Sequence, residues 1–95
     1  MIFAQVVGTV VATRREDGIS GAKYLLVEEC THQGEPRGRH HVALDVVNAG
    51  EGEMVMIAQG SSCRQTSLSE RKPVDALICG IVDLVDEQGR IVYRK

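Results

Sequence analysis

Residues 43–64 read ALDVVNAGEGEMVMIAQGSSCR. A short apolar segment, Met54–Gln59, stands here between two glycine-centred turns, Asn48-Ala49-Gly50-Glu51-Gly52 and Gly60-Ser61-Ser62. Glycines this dense mark backbone that needs a positive φ or that approaches other atoms closely. Two such turns in one small chain point to a place where chain meets chain or ligand. The intervening apolar segment reads as a short strand.

Outward from this segment, the pattern stays that of strands. Ile2–Thr13 (IFAQVVGTVVAT) places Ala4, Val6, Val10 and Ala12 on one face and Gln5, Thr9 and Thr13 on the other with Phe3, Val7 and Val11. Gly8 interrupts the first face, where it lets a strand bend around a small barrel. Arg14–Ser20 is a polar loop, Tyr24–Cys30 a second strand, Thr31–Arg39 a surface loop and His40–Val47 a third strand. Met54–Gln59 is the fourth. Ser61–Glu70 suits one short helix with Ser61 or Ser62 as N-cap, stopped by Pro73. Ala76–Val85 is the fifth strand, and Glu87-Gln88-Gly89 turns into a short last one, Ile91–Tyr93.

Five main strands, one short helix between the fourth and fifth, and no room for parallel crossovers predict an all-β, mainly antiparallel barrel. Its plan is OB-like, resembling an oligonucleotide-binding fold. At 95 residues it forms one domain, residues 1–95, small enough that an oligomer would add needed burial. The apolar content is 43%, but the aromatics are only Phe3, Tyr24 and Tyr93, so the core is aliphatic.

Thirteen acids against eleven bases, mixed along the chain, give a net charge of −2. Nucleic-acid barrels use a basic groove and aromatic platforms, and this composition supplies neither. No basic region followed by a long apolar run is present, so neither a signal peptide nor a membrane helix is expected. Cys30, Cys63 and Cys79, odd in number and widely spaced, fit a reduced cytosolic setting.

Candidate chemistry is sparse. His32, His40, His41 and Cys30 invite a metal, but His40 and His41 point to opposite faces of a strand and no second spaced pair completes a set. Asp45, Asp75 and Asp83 lie in or beside apolar strands without a nucleophile, and an Asp beside a turn usually caps backbone N–H groups. Cys63 has no fixed histidine partner. The turn Ser61-Ser62-Cys63-Arg64 is also readable as an anion nest of a small enzyme or ligand carrier. No catalytic residue, cofactor or metal is expected.

Taken together, residues 1–13 (MIFAQVVGTVVAT), the two central turns and Pro73-Val74-Asp75-Ala76…Gly80-Ile81-Val82-Asp83 resemble one family across nearly the whole chain. It is the pentameric vertex protein of bacterial microcompartment shells, of the ethanolamine-utilisation and carboxysome type (EutN/CcmL). That family usually shows Gly-Ala-Gly where this chain has Asn48-Ala49-Gly50, and commonly alanine at the position of Cys63. Asn tolerates left-handed backbone, so the turn survives. The resemblance implies a homopentamer of small barrels that plugs the fivefold vertices of a shell in the cytoplasm, with hexameric shell proteins as partners. By resemblance and residue size, Asn48, Ala49, Gly50, Glu51, Gly52, Gly60, Ser61, Ser62, Cys63 and Arg64 are expected at the pore or subunit interface.

Overall fold

A computed structural model describes residues 1–12, 23–60 and 76–95. The expected loop Arg14–Ser20, and the helix expected over Ser61–Glu70, lie in the remaining segments, outside the described residues. Five strands close a barrel: β1 (Ile2–Val10), β2 (Tyr24–Cys30), β3 (Pro36–Asp45), β4 (Met54–Gln59) and β5 (Ala76–Ile81), in the order β1-β2-β3-β5-β4. A hairpin of β6 (Leu84–Glu87) and β7 (Arg90–Arg94) forms a separate two-stranded sheet.

Neighbours in the barrel are antiparallel except β3 and β5, which run parallel through Leu44↔Leu77 and Asp45↔Ile78. The barrel is mainly antiparallel, as expected, and the β3–β5 pair is the exception to the expectation of no room for parallel crossovers. The reason is parity: an odd number of strands cannot alternate direction all the way round a closed circle. At least one neighbouring pair must be parallel, and the connection that carries β4 makes it possible.

Short aliphatic side chains fill the interior because a five-stranded barrel is narrow. Ala4 and Val6 of β1, Leu25 and Val27 of β2, Ala43 of β3, Val55 and Ile57 of β4, and Ile78 of β5 are buried in one cluster. On β3 the inward residue is Ala43, while Val42 is 51% exposed. A second cluster, Leu44, Ala58 and Leu77 with Tyr24 and Cys79, lies on the opposite strand faces.

Gly8 marks a bend, as expected: Val6 pairs with Val27 and Gly8 already with Leu26, so Val7 is an extra residue. The bulge reverses the alternation. Val10 therefore pairs with Tyr24, and the expected shared face of Ala4, Val6, Val10 and Ala12 ends at Val6. β1 stops at Val10, not Thr13; Val11 and Ala12 are exposed.

β3 begins at Pro36, not His40, and ends at Asp45, not Val47. Its first half is exposed and is held as strand by pairing with β2, from Cys30↔Pro36 to Glu28↔His40. The expected fifth strand, Ala76–Val85, divides after Ile81. There the Val82 amide donates to Met54 carbonyl oxygen at 2.8 Å, and the chain turns into β6. Gln88 (φ 54) and Gly89 (φ 80) make the tight turn into β7, whose Gly89 amide donates to Asp86 Oδ1 at 2.9 Å. Hairpins this short need something to pack on. Val85 and Tyr93 supply the contact by joining Phe3, Met54, Met56, Cys30 and Val82 in a third cluster.

Candidate functional site

β3 ends in an acid that organises the turn after it. The Asp45 side chain is fully buried, and it accepts the amide of Val47 (3.0 Å) and that of Ala49 (3.0 and 3.3 Å to its two oxygens). Burying a carboxylate costs free energy unless it is satisfied, and here two amides and the Lys23 ammonium at 3.5 Å satisfy it. Lys23 also donates to Asn48 Oδ1 at 3.3 Å. This is the capping role that the sequence suggests for an Asp beside a turn.

Asn48 has φ 60, so its tolerance of left-handed backbone is used. Ala49 tucks into the barrel core. The turn then binds β1: the Gly52 amide donates to Val6 carbonyl at 2.8 Å, the Val6 amide to Glu53 carbonyl at 3.0 Å, and Gln5 Nε2 to Gly52 carbonyl at 3.2 Å. Glu51 projects into solvent.

Glu53, absent from the expected site, is the second organiser. Its Oε1 accepts the Gly50 amide at 2.6 Å, reaching back three residues as in a capping box. Its Oε2 lies 2.5 Å from Lys95 Nζ. The Lys95 amide donates to Asp83 carbonyl at 2.9 Å, so the end of β7 ties the glycine turn to the β5–β6 junction. The Lys95 ammonium, and then the Gly50 amide, hold the Glu53 carboxyl below its ordinary pKa, and Glu53 in turn raises that of Lys95. The Gly50–Glu53 spacing is a local signal for this; nothing local announces Lys95, which is distant in sequence.

Gly60 closes β4 at the other end with φ 65, and Gly52 has φ 89. A side chain at either is strained by the backbone, yet at Gly52 a Cβ would meet no heavy atom of the described residues within 4 Å. β4 stands between the two turns. At about 3.3 Å per residue, its length holds them roughly 20 Å apart. Ser61, Ser62, Cys63 and Arg64 lie outside the described residues.

The other candidate groups are dispersed into separate pairs. His41 Nε2 lies 2.6 Å from Glu29 Oε2, His40 Nε2 3.8 Å from Glu28 Oε1, and His32 Nε2 2.8 Å from Glu87 Oε1. The Glu29 carboxyl is held below its ordinary pKa chiefly by His41, against the opposing effect of burial, with Arg39 adding to the lowering. Among the described residues, no three His, Cys, Asp or Glu side chains gather as a metal site. Cys30 is buried, and burial pushes its thiol up, away from the reactive thiolate. An open hollow of about 640 Å³ is lined by Gln33, Glu35, Glu87, Gln88, Arg90, Ile91 and Val92.

These contacts have two measurable consequences. Asp45→Ala strands two amides and should destabilise the protein by about 1–3 kcal/mol in urea unfolding at fixed protein concentration, with Asp45→Asn recovering part of the loss. For Glu53, a lowered folded-state pKa means that the link is present above the ordinary carboxylate pKa. It is lost as pH falls through the folded-state value. Hydrogen exchange should show the Gly50 amide protected at neutral pH, less protected in acid below the ordinary carboxylate range, and unprotected at any pH in Glu53→Ala.

The model of the family described as "Ethanolamine utilisation protein EutN/carboxysome" matches residues 1–83. The chain is 44% identical over 95 residues to the "Bacterial microcompartment shell vertex protein EutN" of Salmonella typhimurium, covering all of this chain and 96% of the relative. Among solved structures, CcmL of Gloeobacter violaceus superposes with a TM-score of 0.94 at 40% identity, over 100% of this chain and 98% of that one. The "GrpN pentameric microcompartment shell protein" of Rhodospirillum rubrum gives 0.83 at 41% identity, over 92% and 99%. With a family match over most of its length and relatives above 40% identity from end to end, the chain belongs to the EutN/CcmL family.

Proposed function

We propose that this protein is a structural, non-catalytic component of a bacterial microcompartment shell in the cytoplasm, where it assembles as a homopentamer and caps the shell's vertices. The observation that carries this reading is full-length similarity to vertex proteins, joined to the same barrel in a solved relative described as pentameric. A sheet of sixfold units tiles a plane and cannot close by itself. Fivefold units at the corners supply the curvature, and hexameric shell proteins are the partners that such a corner piece meets. The work is geometric, and the reading requires no cofactor, metal or nucleic acid.

In this reading, Asn48–Gly52 and the segment Gly60–Arg64 form contacts between copies near the fivefold axis. The space around Gly52 supports it, since a neighbouring backbone has room to approach where the described atoms of this chain do not. Because β4 separates the two turns, contacts at both mean that β4 runs alongside the seam between copies.

Native mass spectrometry should give five 10.4 kDa chains, about 52 kDa in all. A clean monomer or stable dimer at micromolar concentration overturns the reading. Deleting the gene should leave encapsulated enzymes active in lysate while shells become elongated or unsealed. Normal closed polyhedra, in a strain with no second vertex protein, contradict the vertex role.

A further inference from the structure

A ring built by rotation joins two different faces of each subunit, one on either side. The described surface carries two apolar faces suited to this. The first is the outer face of β2 and β3. Gly8, Leu26 and Val42 are direct cross-strand neighbours there, and Val42 is 51% exposed. Val46, 37% exposed, follows the end of β3, with the fully buried Leu44 lying between it and Val42. The second is the outward face of the β6–β7 hairpin. Val85 and Tyr93 pack inward, so the bulge between Val85 and Asp86 leaves Leu84 and Ile91 on the other side, 45% and 47% exposed.

Position links the two faces. The hairpin lies on the outer side of β1 and β4 through Phe3, Met54 and Met56, whereas Val42 lies across β2 from β1. The faces are therefore oblique, which is what a closed ring needs; directly opposed faces would continue as a filament. Both faces also border the same turn. Val46 enters it, and Lys95, at the end of β7, grips Glu53 as the chain leaves it.

We infer that the Val42 face of one copy receives the Leu84–Ile91 face of the hairpin of the next copy, with the Asn48–Glu53 turn at the edge of the seam. The inference rests on the pentamer reading. The occupant is a second copy of this chain because matching solved relatives are described as pentameric, and because the chain itself supplies both halves of the contact.

The test uses the full chain with Val42→Glu and Ile91→Glu made separately. Both positions are exposed in one chain, so each variant should keep the strand circular dichroism of the parent. Native mass spectrometry should then show folded monomers in place of pentamers. In the double variant Val42→Cys/Ile91→Cys, mild oxidation should give a covalent ladder ending at five chains, absent from the parent protein with its own cysteines. A parent pentamer that neither charge disrupts and that gives no ladder overturns this seam and leaves the pentamer intact. A monomeric parent overturns the pentamer and the seam together. If the charged variants unfold, the cysteine ladder alone decides.

Discussion

Asp45 pairs with Ile78 at the parallel seam that closes the barrel, and its carboxylate receives the amides of Val47 and Ala49 as the chain leaves that seam. Its own amide donates to the Lys23 carbonyl at 2.9 Å, which ties β3 to the start of β2 at the same level. One buried acid thus joins barrel closure to the shape of the glycine turn. An unsatisfied carboxylate at this depth would be expelled or neutralised, so the turn is fixed by the need to satisfy it. The left-handed Asn48 and the buried Ala49 result from the direction in which those amides must point.

The strands legible in the sequence are those whose burial writes them. Tyr24–Cys30 and Met54–Gln59 appear at the bounds read from their apolar residues, because both strands pack on one or more clusters. Pro36–His40 is not legible. Its proline, glycine, arginines and histidines have loop composition, and only its register against β2 makes it strand. The parallel seam is hidden for a different reason: it is a property of the closed circle and leaves no mark on any one segment. The bulge at Gly8 is visible as a glycine, but its reversal of the faces is not, since a shift by one residue depends on the partner strand.

For the candidate site, the sequence marks the backbone and hides the side chains that hold it. Asn48–Gly52 announces itself through its glycines, and Asp45 through its place beside a turn. Glu53 carries no comparable signal because an acid next to a strand is common, and its two bonds, to Gly50 and to Lys95, distinguish it only in three dimensions. Lys95 reaches the turn because β6–β7 folds back across the outer face of β4, and that return is set by the break at Val82–Asp83. The division of the fifth strand is therefore what brings the hairpin to the turn.

A chain that must exist as single copies before joining a ring faces two opposed demands. Its contact faces must be apolar enough to gain from association, yet large exposed apolar patches aggregate. The barrel meets both by placing its largest aliphatic residues in its own clusters, where Leu44, Ile57, Leu77 and Ile78 are all at most 1% exposed. Outside, besides Met1 and Val11 near the start of the chain, remain the half-exposed Val42 and Val46 and, on the hairpin, Leu84 and Ile91, set among charged neighbours such as Arg94 and Asp86. Faces so small give weak pairwise contact. Closing a ring makes every copy hold two neighbours at once, so the last contact forms without further loss of translational freedom. Modest seams and a fixed rotation together favour a closed ring over an open aggregate.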